Sequence, residues 1–338
     1  MTDLRQGADC TPEPFVLATR GSTLALWQAR FVSQQLHTLG LNVSIQTWKT
    51  TGDMVQDRFL HEIGGKGLFI KELEDAMRQG SAHFAVHSLK DMPANIPTGF
   101  LLAAVLKRHQ SSDIIIFKSS LWSRLGLQPK SIVSANTLNQ LGQLNIATSS
   151  LRRQALLKSA CPNIITTPIR GNVDTRLKKL ETEGQWDAII LAEASLERLD
   201  IQDVHAHRID PEWFIPCAGQ GALAIEAPAS SPILNRLVQL ECPDTRLAVN
   251  VERAVLARLG GDCTMPFGCL VSRNLTAPNC LDGRAIILSN HGHYARASVS
   301  IDTDHADAEN LLIEALIKGL REDGANTILQ SLGLPVRI

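Results

Sequence analysis

Three places in this 338-residue chain set arginine beside a hydroxyl or an amide, just where an apolar run gives way to a helical pattern. Arg20 precedes Gly21-Ser22. Ser149, Ser150, Arg152 and Arg153 follow Thr148. Arg170 precedes Gly171-Asn172, with Arg176 a turn further on. A helix start presents unpaired N–H groups and partial positive charge, and a guanidinium adds two-pronged recognition of carboxylate. First-turn arginine opposes the helix dipole, so placement as ordinary surface charge is the weaker reading. Together the three places predict a ligand with several carboxylates or phosphates.

Two further residues could take part in bond chemistry. Asp91 closes His87-Ser88-Leu89-Lys90-Asp91 behind an apolar run, and Met92-Pro93 stops regular structure after it. A strand-end carboxylate beside Lys90 suits a general acid or the counter-charge of a cation, with a salt-bridged loop aspartate as the plain alternative. Cys263 lies in Gly260-Gly261-Asp262-Cys263-Thr264-Met265-Pro266, a glycine-flanked turn after a long helical pattern. Such a turn leaves a thiol more accessible than a helix or strand does, as a nucleophile requires, although a lone cysteine is more often inert. Gly64-Gly65-Lys66-Gly67-Leu68-Phe69 matches neither GxxxxGK[ST] nor GxGxxG and reads as a loop entering a helix.

The elements that must position these groups alternate. Phe15–Thr19 reads as a strand, and a helix follows from the N-cap Ser22 to Gly40. Val43–Thr47 alternates as a strand, Leu68–Gln79 as a helix, then strands are expected at His83–Val86 and Leu101–Leu106. The pattern restarts with strands at Asp113–Phe117, Asn145–Thr148, Ile164–Thr167 and Trp186–Ala192, separated by helices at Leu151–Ala160 and Val173–Glu183. After Pro216 come a strand at Gly221–Ala227 and helices at Pro232–Leu240 and Asp244–Leu259. The tail gives strands at Arg284–Leu288 and Ala295–Ile301 and helices at Ala306–Arg321 and Asn326–Leu332. This is an α/β chain of two doubly wound lobes plus a small α+β C-terminal domain, with junctions at Lys107–Ser112, Pro216–Gly221 and Cys242–Thr245. Ligands of such lobes sit beyond the carboxyl ends of the strands.

Composition narrows the class. Net charge is −1, and with 4% aromatics and a single tyrosine, Tyr294, the chain lacks the basic surplus and stacking residues of a nucleic-acid binder. Seven scattered cysteines without a CxxC pair indicate neither a disulfide framework nor a zinc site. No run reaches the roughly 18 apolar residues of a membrane helix, and Met1–Pro14 lacks a signal peptide's apolar core. A cytoplasmic protein with reduced thiols is expected.

Taken in order, ATRGSTLALWQA, GGKGLFIKELE, AVHSLKDMP, TSSLRRQ, RGNVDTRL, DAIILA, GQGALAIE and the late glycine-flanked cysteine resemble the porphobilinogen deaminase (hydroxymethylbilane synthase) family, over residues 15 to 330. The resemblance implies two lobes like those of periplasmic binding proteins, residues 14–107 with 222–241 and residues 113–215, and a cofactor-bearing domain at 245–338. It implies a dipyrromethane cofactor in thioether linkage to Cys263, made from two porphobilinogens. Four more porphobilinogens add to it with loss of ammonia, and hydrolysis frees 1-hydroxymethylbilane. Asp91 matches the essential aspartate. Lys90, Asp91, Ser150, Arg152, Arg153 and Arg170 match positions around the cofactor. Arg20, Ser22, Lys66, Phe69, Arg152, Arg170, Arg176 and Gln220 match substrate-side positions, Gln220 at the hinge. The implied partners are porphobilinogen and the growing pyrrole chain, with no metal, nucleic acid or membrane, and the implied protein is a monomer. Glu62, Thr51, Asp262, Glu193 and Ser195 depart from the family's usual residues. A two-lobed anion-binding protein without catalysis is the competing reading, disfavoured by the presence of both Asp91 and Cys263.

Overall fold

Short β-branched and apolar runs form the strands, and glycine marks where several helices stop. The computed structural model describes residues 13–54, 70–128, 130–202, 204–262, 265–274, 276–303 and 307–336. Lys66, Phe69 and Cys263 lie outside the described residues, as does Glu62.

The chain begins β1 (Phe15–Arg20), α1 (Thr23–Thr38), β2 (Val43–Trp48), α2 (Thr51–Met54), α3 (Lys71–Arg78), β3 (Phe84–Ser88) and β4 (Phe100–Val105). Helix α1 starts where the sequence predicts: Ser22 Oγ accepts from the Ala25 N–H at 3.3 Å. It buries Gln28, Ala29, Val32 and Leu36 along one face, and Gly40, at φ +77°, turns the chain out behind it.

Next come β5 (Asp113–Phe117), α4 (Trp122–Leu125), β6 (Ile132–Val133), α5 (Ala135–Gln140), β7 (Leu144–Ala147), α6 (Leu151–Ala160), β8 (Ile164–Thr167), α7 (Val173–Thr182), β9 (Ala188–Ala192), α8 (Glu193–Leu199) and β10 (Ala206–Ile209). The remainder is β11 (Leu223–Pro228), α9 (Leu234–Leu237), α10 (Pro243–Arg258), β12 (Phe267–Arg273), β13 (Cys280–Leu288), β14 (Tyr294–Asp302), α11 (Ala308–Glu322) and α12 (Ala325–Ser331).

Three sheets result. The first has the order β2-β1-β3-β11-β4, with β1 parallel to β2 and β3, and β11 antiparallel to both its neighbours. The second has the order β6-β10-β5-β9-β7-β8, with β5 antiparallel to β9 and β10. The third, β12-β13-β14, is an antiparallel meander. Both large sheets are therefore mixed. Strand β11 enters the first sheet on the chain's return from the second, and an antiparallel entry needs no crossover helix. Strands β6, β10 and β12 were not among the expected strands. The first two are only two and four residues long, while β12 alternates inward-facing Phe267, Cys269 and Val271 with less buried neighbours toward its end. The helix expected over Pro232–Leu240 splits into α9 and a 3-10 turn, Val238–Leu240.

Each sheet has its own apolar core: Leu17, Val32, Phe84 and Ile225 in the first, Ile115, Phe117, Ile146 and Ile190 in the second, Val255, Phe267, Ile287 and Leu316 in the third. The cores are not isolated. Ile286 and Leu288 of β13 pack into the second, and Val249 of α10 packs beside Leu89 and Met92.

Two segments run side by side between the large sheets, residues 106–112 and 216–222. Leu106 N–H donates to the Leu223 carbonyl at 3.0 Å and His109 N–H to the Gly221 carbonyl at 3.1 Å. Gly221 is at φ +87°, and a Cβ there would lie 2.7 Å from the His109 carbonyl oxygen. Only glycine allows the two crossings to touch at this point.

Candidate active site

Asp91 ends a single 3-10 turn, Leu89–Asp91, at the tip of β3. Leu89 and Met92 are both buried, and the Leu89 N–H donates to the Ala222 carbonyl at 3.1 Å. These two anchors draw the turn into the core and leave Lys90 half-buried and Asp91 exposed between them. Because β1 runs parallel to β3, Arg20 emerges at the same edge of the sheet, beside the Ser22 cap of α1.

The second lobe supplies two turns from neighbouring parallel strands. After β7, Ser150 caps α6, accepting from the Arg153 N–H at 3.5 Å. Ser149 ties this turn to the one after β8, donating to the Ile169 carbonyl at 2.8 Å and accepting from the Ile169 N–H at 3.1 Å. In that second turn Arg170 precedes α7, and Arg176 Nε donates to the Gly171 carbonyl at 2.7 Å. Asn172, the N-cap of α7, makes no side-chain cap.

Arg152 and Arg153 are both buried and converge on a residue read in the sequence only as the start of a strand. Arg152 Nη2 donates to Asp113 Oδ2 at 2.7 Å, while Arg153 Nε and Nη2 donate to Asp113 Oδ1 at 3.0 and 2.7 Å. Gln220, also fully buried, donates from Nε2 to the same Oδ1 at 3.2 Å and to the Ser111 carbonyl at 2.6 Å. Asp113 thus offsets the first-turn arginines that the helix dipole disfavours. Burial by itself would raise the Asp113 carboxyl, but Arg152 and Arg153 outweigh it and hold it below the usual carboxylate range. The remaining Arg152 and Arg153 Nη1 groups donate to the Ile215 and Ile190 carbonyls, each at 2.8 Å.

Charges from both lobes meet around Asp91. Burial pulls the Lys90 ammonium below its ordinary range, with Asp91 opposing the shift and Arg153 adding to it. Burial, reinforced by Arg153 and Arg170 and opposed by Asp91, brings the Arg176 guanidinium down to about 10. Burial does the same to Arg198 on α8, to about 10, against the pull of Glu197 and Asp91. Both guanidinium groups stay charged near neutrality. The structure therefore brings Lys90, Asp91, Arg153, Arg170 and Arg176 into one field and joins Arg152 and Gln220 to it through Asp113.

Sequence reasoning missed Arg198 and Asp113. A polar residue opening the run Asp113-Ile114-Ile115-Ile116-Phe117 was the available signal for one; Arg198, mid-helix, gave none. Two of the unusual residues have structural partners: Glu193 accepts from Arg208 Nη2 and Nε at 2.7 and 2.8 Å, and Thr51 Oγ1 donates to Glu72 at 2.5 Å. Among the described residues no group of three or more His, Cys, Asp or Glu could hold a metal.

Fold and charges define a two-lobed α/β protein with cationic side chains gathered from both lobes around one exposed carboxylate. A family model described as porphobilinogen deaminase, dipyrromethane cofactor binding domain, matches residues 15–235. The porphobilinogen deaminase of Sulfurimonas denitrificans is 39% identical over 315 residues, 91% of this chain and 95% of that one. That of Chromobacterium violaceum is 40% identical over 329 residues, 95% and 98% of the two chains. The chain belongs to the porphobilinogen deaminase family. The residues present fit the cofactor that the family model names. A dipyrromethane made from two porphobilinogens bears acetate and propionate on each ring, and here Arg152 Nε is buried with no acceptor amid an excess of cationic side chains.

Proposed function

We propose that the protein is a hydroxymethylbilane synthase, condensing four porphobilinogen molecules head to tail with loss of ammonia at each addition and releasing 1-hydroxymethylbilane by hydrolysis. The observation that carries this reading is an exposed carboxylate, Asp91, within electrostatic reach of Lys90 from one lobe and of Arg176 and Arg198 from the other. Porphobilinogen is an ammonium-leaving pyrrole with two carboxylates. Its carboxylates call for the cations, and the positive charge left after ammonia departs calls for the acid.

In this reading Asp91 protonates the departing amine and then faces the cationic pyrrole. Arg20, Ser22, Arg170 and Arg176 hold acetate and propionate groups, and Lys90 and Ser150 hold those of the cofactor. Arg152 and Arg153 do so while fixed on Asp113, and Gln220 acts through Asp113 to keep them in place. Lys66 and Phe69 belong to the substrate side, and Cys263 is the point of attachment. The dipyrromethane group, when bound there, supplies the pyrrole end that accepts the first substrate. Residues 14–107 with 222–241, residues 113–215 and residues 245–338 form the three units, and the two crossings allow the first two to move as the product lengthens.

The protein so read works as a monomer in the cytoplasm, away from nucleic acid and membranes. The described cysteines are all unpaired thiols, and no described helix is long and apolar enough to cross a membrane. Light scattering would give the oligomeric state. The deciding experiment is incubation of purified protein with porphobilinogen, following ammonia release and intact mass. Steady ammonia release, with added mass on the native protein that the Cys263→Ser variant lacks, is the expected result. Folded protein that consumes no porphobilinogen would refute the reading.

A further inference from the structure

The turn that carries Asp91 is held by the C-terminal domain as well as by its own sheet. Residues 92–99, between that turn and β4, lie outside any strand or helix, so their carbonyls must find donors elsewhere. Those of Pro93 and Ala94 both accept from one nitrogen, Arg253 Nη2 on α10, at 2.8 and 2.9 Å. Arg253 is 8% exposed. Burial brings its guanidinium down to about 10, with Arg246 adding to the shift and Glu226 opposing it, so it stays charged near neutrality. Val249, one helical turn before Arg253, packs beside Leu89 and Met92. One face of α10 thus touches the chain both before and after Asp91. Beyond Ala94 the packing ends: Ala94, Asn95, Asn250 and Arg258 join Arg253 around an open cavity of about 450 Å³. Without the guanidinium the segment has room to shift on that side. The chain reaches Cys263 five residues after α10 ends at Arg258. The helix that leads to the proposed attachment point therefore also holds the proposed acid.

We propose that Arg253 is a positioning residue for the condensation: by holding the Pro93 and Ala94 carbonyls it fixes the direction in which Asp91 faces the reacting pyrrole. The proposal rests on the role given to Asp91 above. Arg253 acts through the backbone that follows Asp91, without contact to the substrate. A displacement of about 1 Å in a catalytic group is enough to lower a rate by on the order of a hundredfold. Arg246 provides the contrast. It lies on the same helix and also ties α10 to the first lobe, donating to the Leu102 carbonyl at 2.9 Å and to Glu241, but on β4 rather than at the Asp91 turn.

The test follows ammonia release from porphobilinogen by the holoenzyme, with intact mass used to express rates per cofactor-bearing molecule. Arg253→Met should lower kcat by about ten- to a hundredfold and leave KM little changed. Arg253→Lys keeps the charge and several N–H donors and should recover much of that loss. Arg246→Met should unfold earlier but keep its kcat per folded molecule. In an Asp91→Asn background, Arg253→Met should scarcely alter the residual rate, because no carboxylate is left to misdirect. Amide hydrogen exchange over residues 88–96 should quicken in Arg253→Met and not in Arg246→Met. An undiminished kcat in Arg253→Met, a loss of the same factor in the Asp91→Asn background, or unaltered exchange over the turn would overturn the proposal. If Arg253→Met does not fold, Arg253→Lys takes its place, and its smaller loss of kcat must likewise vanish beside Asp91→Asn. If the parent releases no ammonia, the functional reading fails, and exchange over the turn still decides whether Arg253 holds it.

Discussion

Asp91 and Asp113 are both flanked by cations, yet burial gives them opposite duties. Asp91 is exposed at the end of a turn, free to face a substrate, whereas Asp113 is sealed between Arg152, Arg153 and Gln220. A carboxylate about 4 Å from a developing cation is worth on the order of 4 kcal/mol at an effective dielectric near 20, nearly a thousandfold in rate. Asp91→Asn should therefore melt like the parent and turn over about a thousandfold more slowly, and Asp91→Glu should fall between them. Normal turnover per folded molecule in the Asn variant would reassign Asp91 to structure. Asp113→Ala should instead cost stability, about 3–5 kcal/mol in urea unfolding, because two guanidinium groups lose their buried counter-charge. Arg170→Leu removes one charge-assisted contact, worth roughly 1.5–3 kcal/mol, and should lower kcat/KM by about ten- to a hundredfold. Arg152→Leu should show both kinds of damage, since the same side chain serves Asp113.

At the scale of elements, strand β10 carries a titration that the active site does not. His207 is fully buried there, with Ser131 Oγ at 2.9 Å from one ring nitrogen and His205 Nδ1 at 2.9 Å from the other. Burial, and secondly the neighbouring His205, push the His207 imidazole down to about 4. In the unfolded chain an imidazole titrates near 6.5, so between these values the unfolded state binds the extra proton. The stabilisation is complete above about pH 6.5 and is lost as pH falls towards 4, by on the order of 3 kcal/mol in all. Urea unfolding across that window should show the decline, and His207→Asn should flatten the difference between the ends. An equally steep decline in the variant would assign the effect to other groups. Gly221 sets a limit of a different kind. Its alanine variant would have to displace the His109 carbonyl and hold φ +87°, so it should loosen the crossing that both lobes share.

The whole molecule is joined through Glu252, a fully buried carboxylate on α10. Its oxygens accept from Arg108 Nη1 and Nη2 at 2.6 and 3.1 Å, from the Gly219 N–H at 2.7 Å and from the Val271 N–H at 2.9 Å. Arg108 belongs to the first crossing, Gly219 to the second, and Val271 to the third sheet. One charge therefore braces both crossings against the C-terminal sheet while the large sheets keep separate cores. Glu252→Ala should cost about 3–5 kcal/mol, since Arg108 is left half-buried without its partner. Arg258→Ala breaks an exposed pair with Glu314 and should cost about 1 kcal/mol or less. Thermal unfolding of the two variants side by side checks the ranking. Equal small losses would show that the junction does not depend on Glu252.

Where local chemistry dictates structure, the sequence was sufficient. Ser22 caps the helix it was expected to cap, the runs expected as strands at Asp113–Phe117 and Trp186–Ala192 hold β5 and β9, and arginines flank the strand-to-helix turns. Each of these follows from a few neighbouring residues, so spacing alone reveals it. The antiparallel course of β11, the convergence of Arg152 and Arg153 on Asp113, the nearness of Arg198 to Asp91, and the bracing by Glu252 were not legible. Each joins residues far apart in the chain: Arg152 and Asp113 are 39 residues apart, Arg108 and Glu252 144. Whether a charge faces substrate or is neutralised in the interior depends on what the folded chain brings against it and on how much water it excludes. The sequence named Asp91 and, Arg198 apart, the cations around it; only the tertiary structure decided which arginines are spent on Asp113 and which face Asp91.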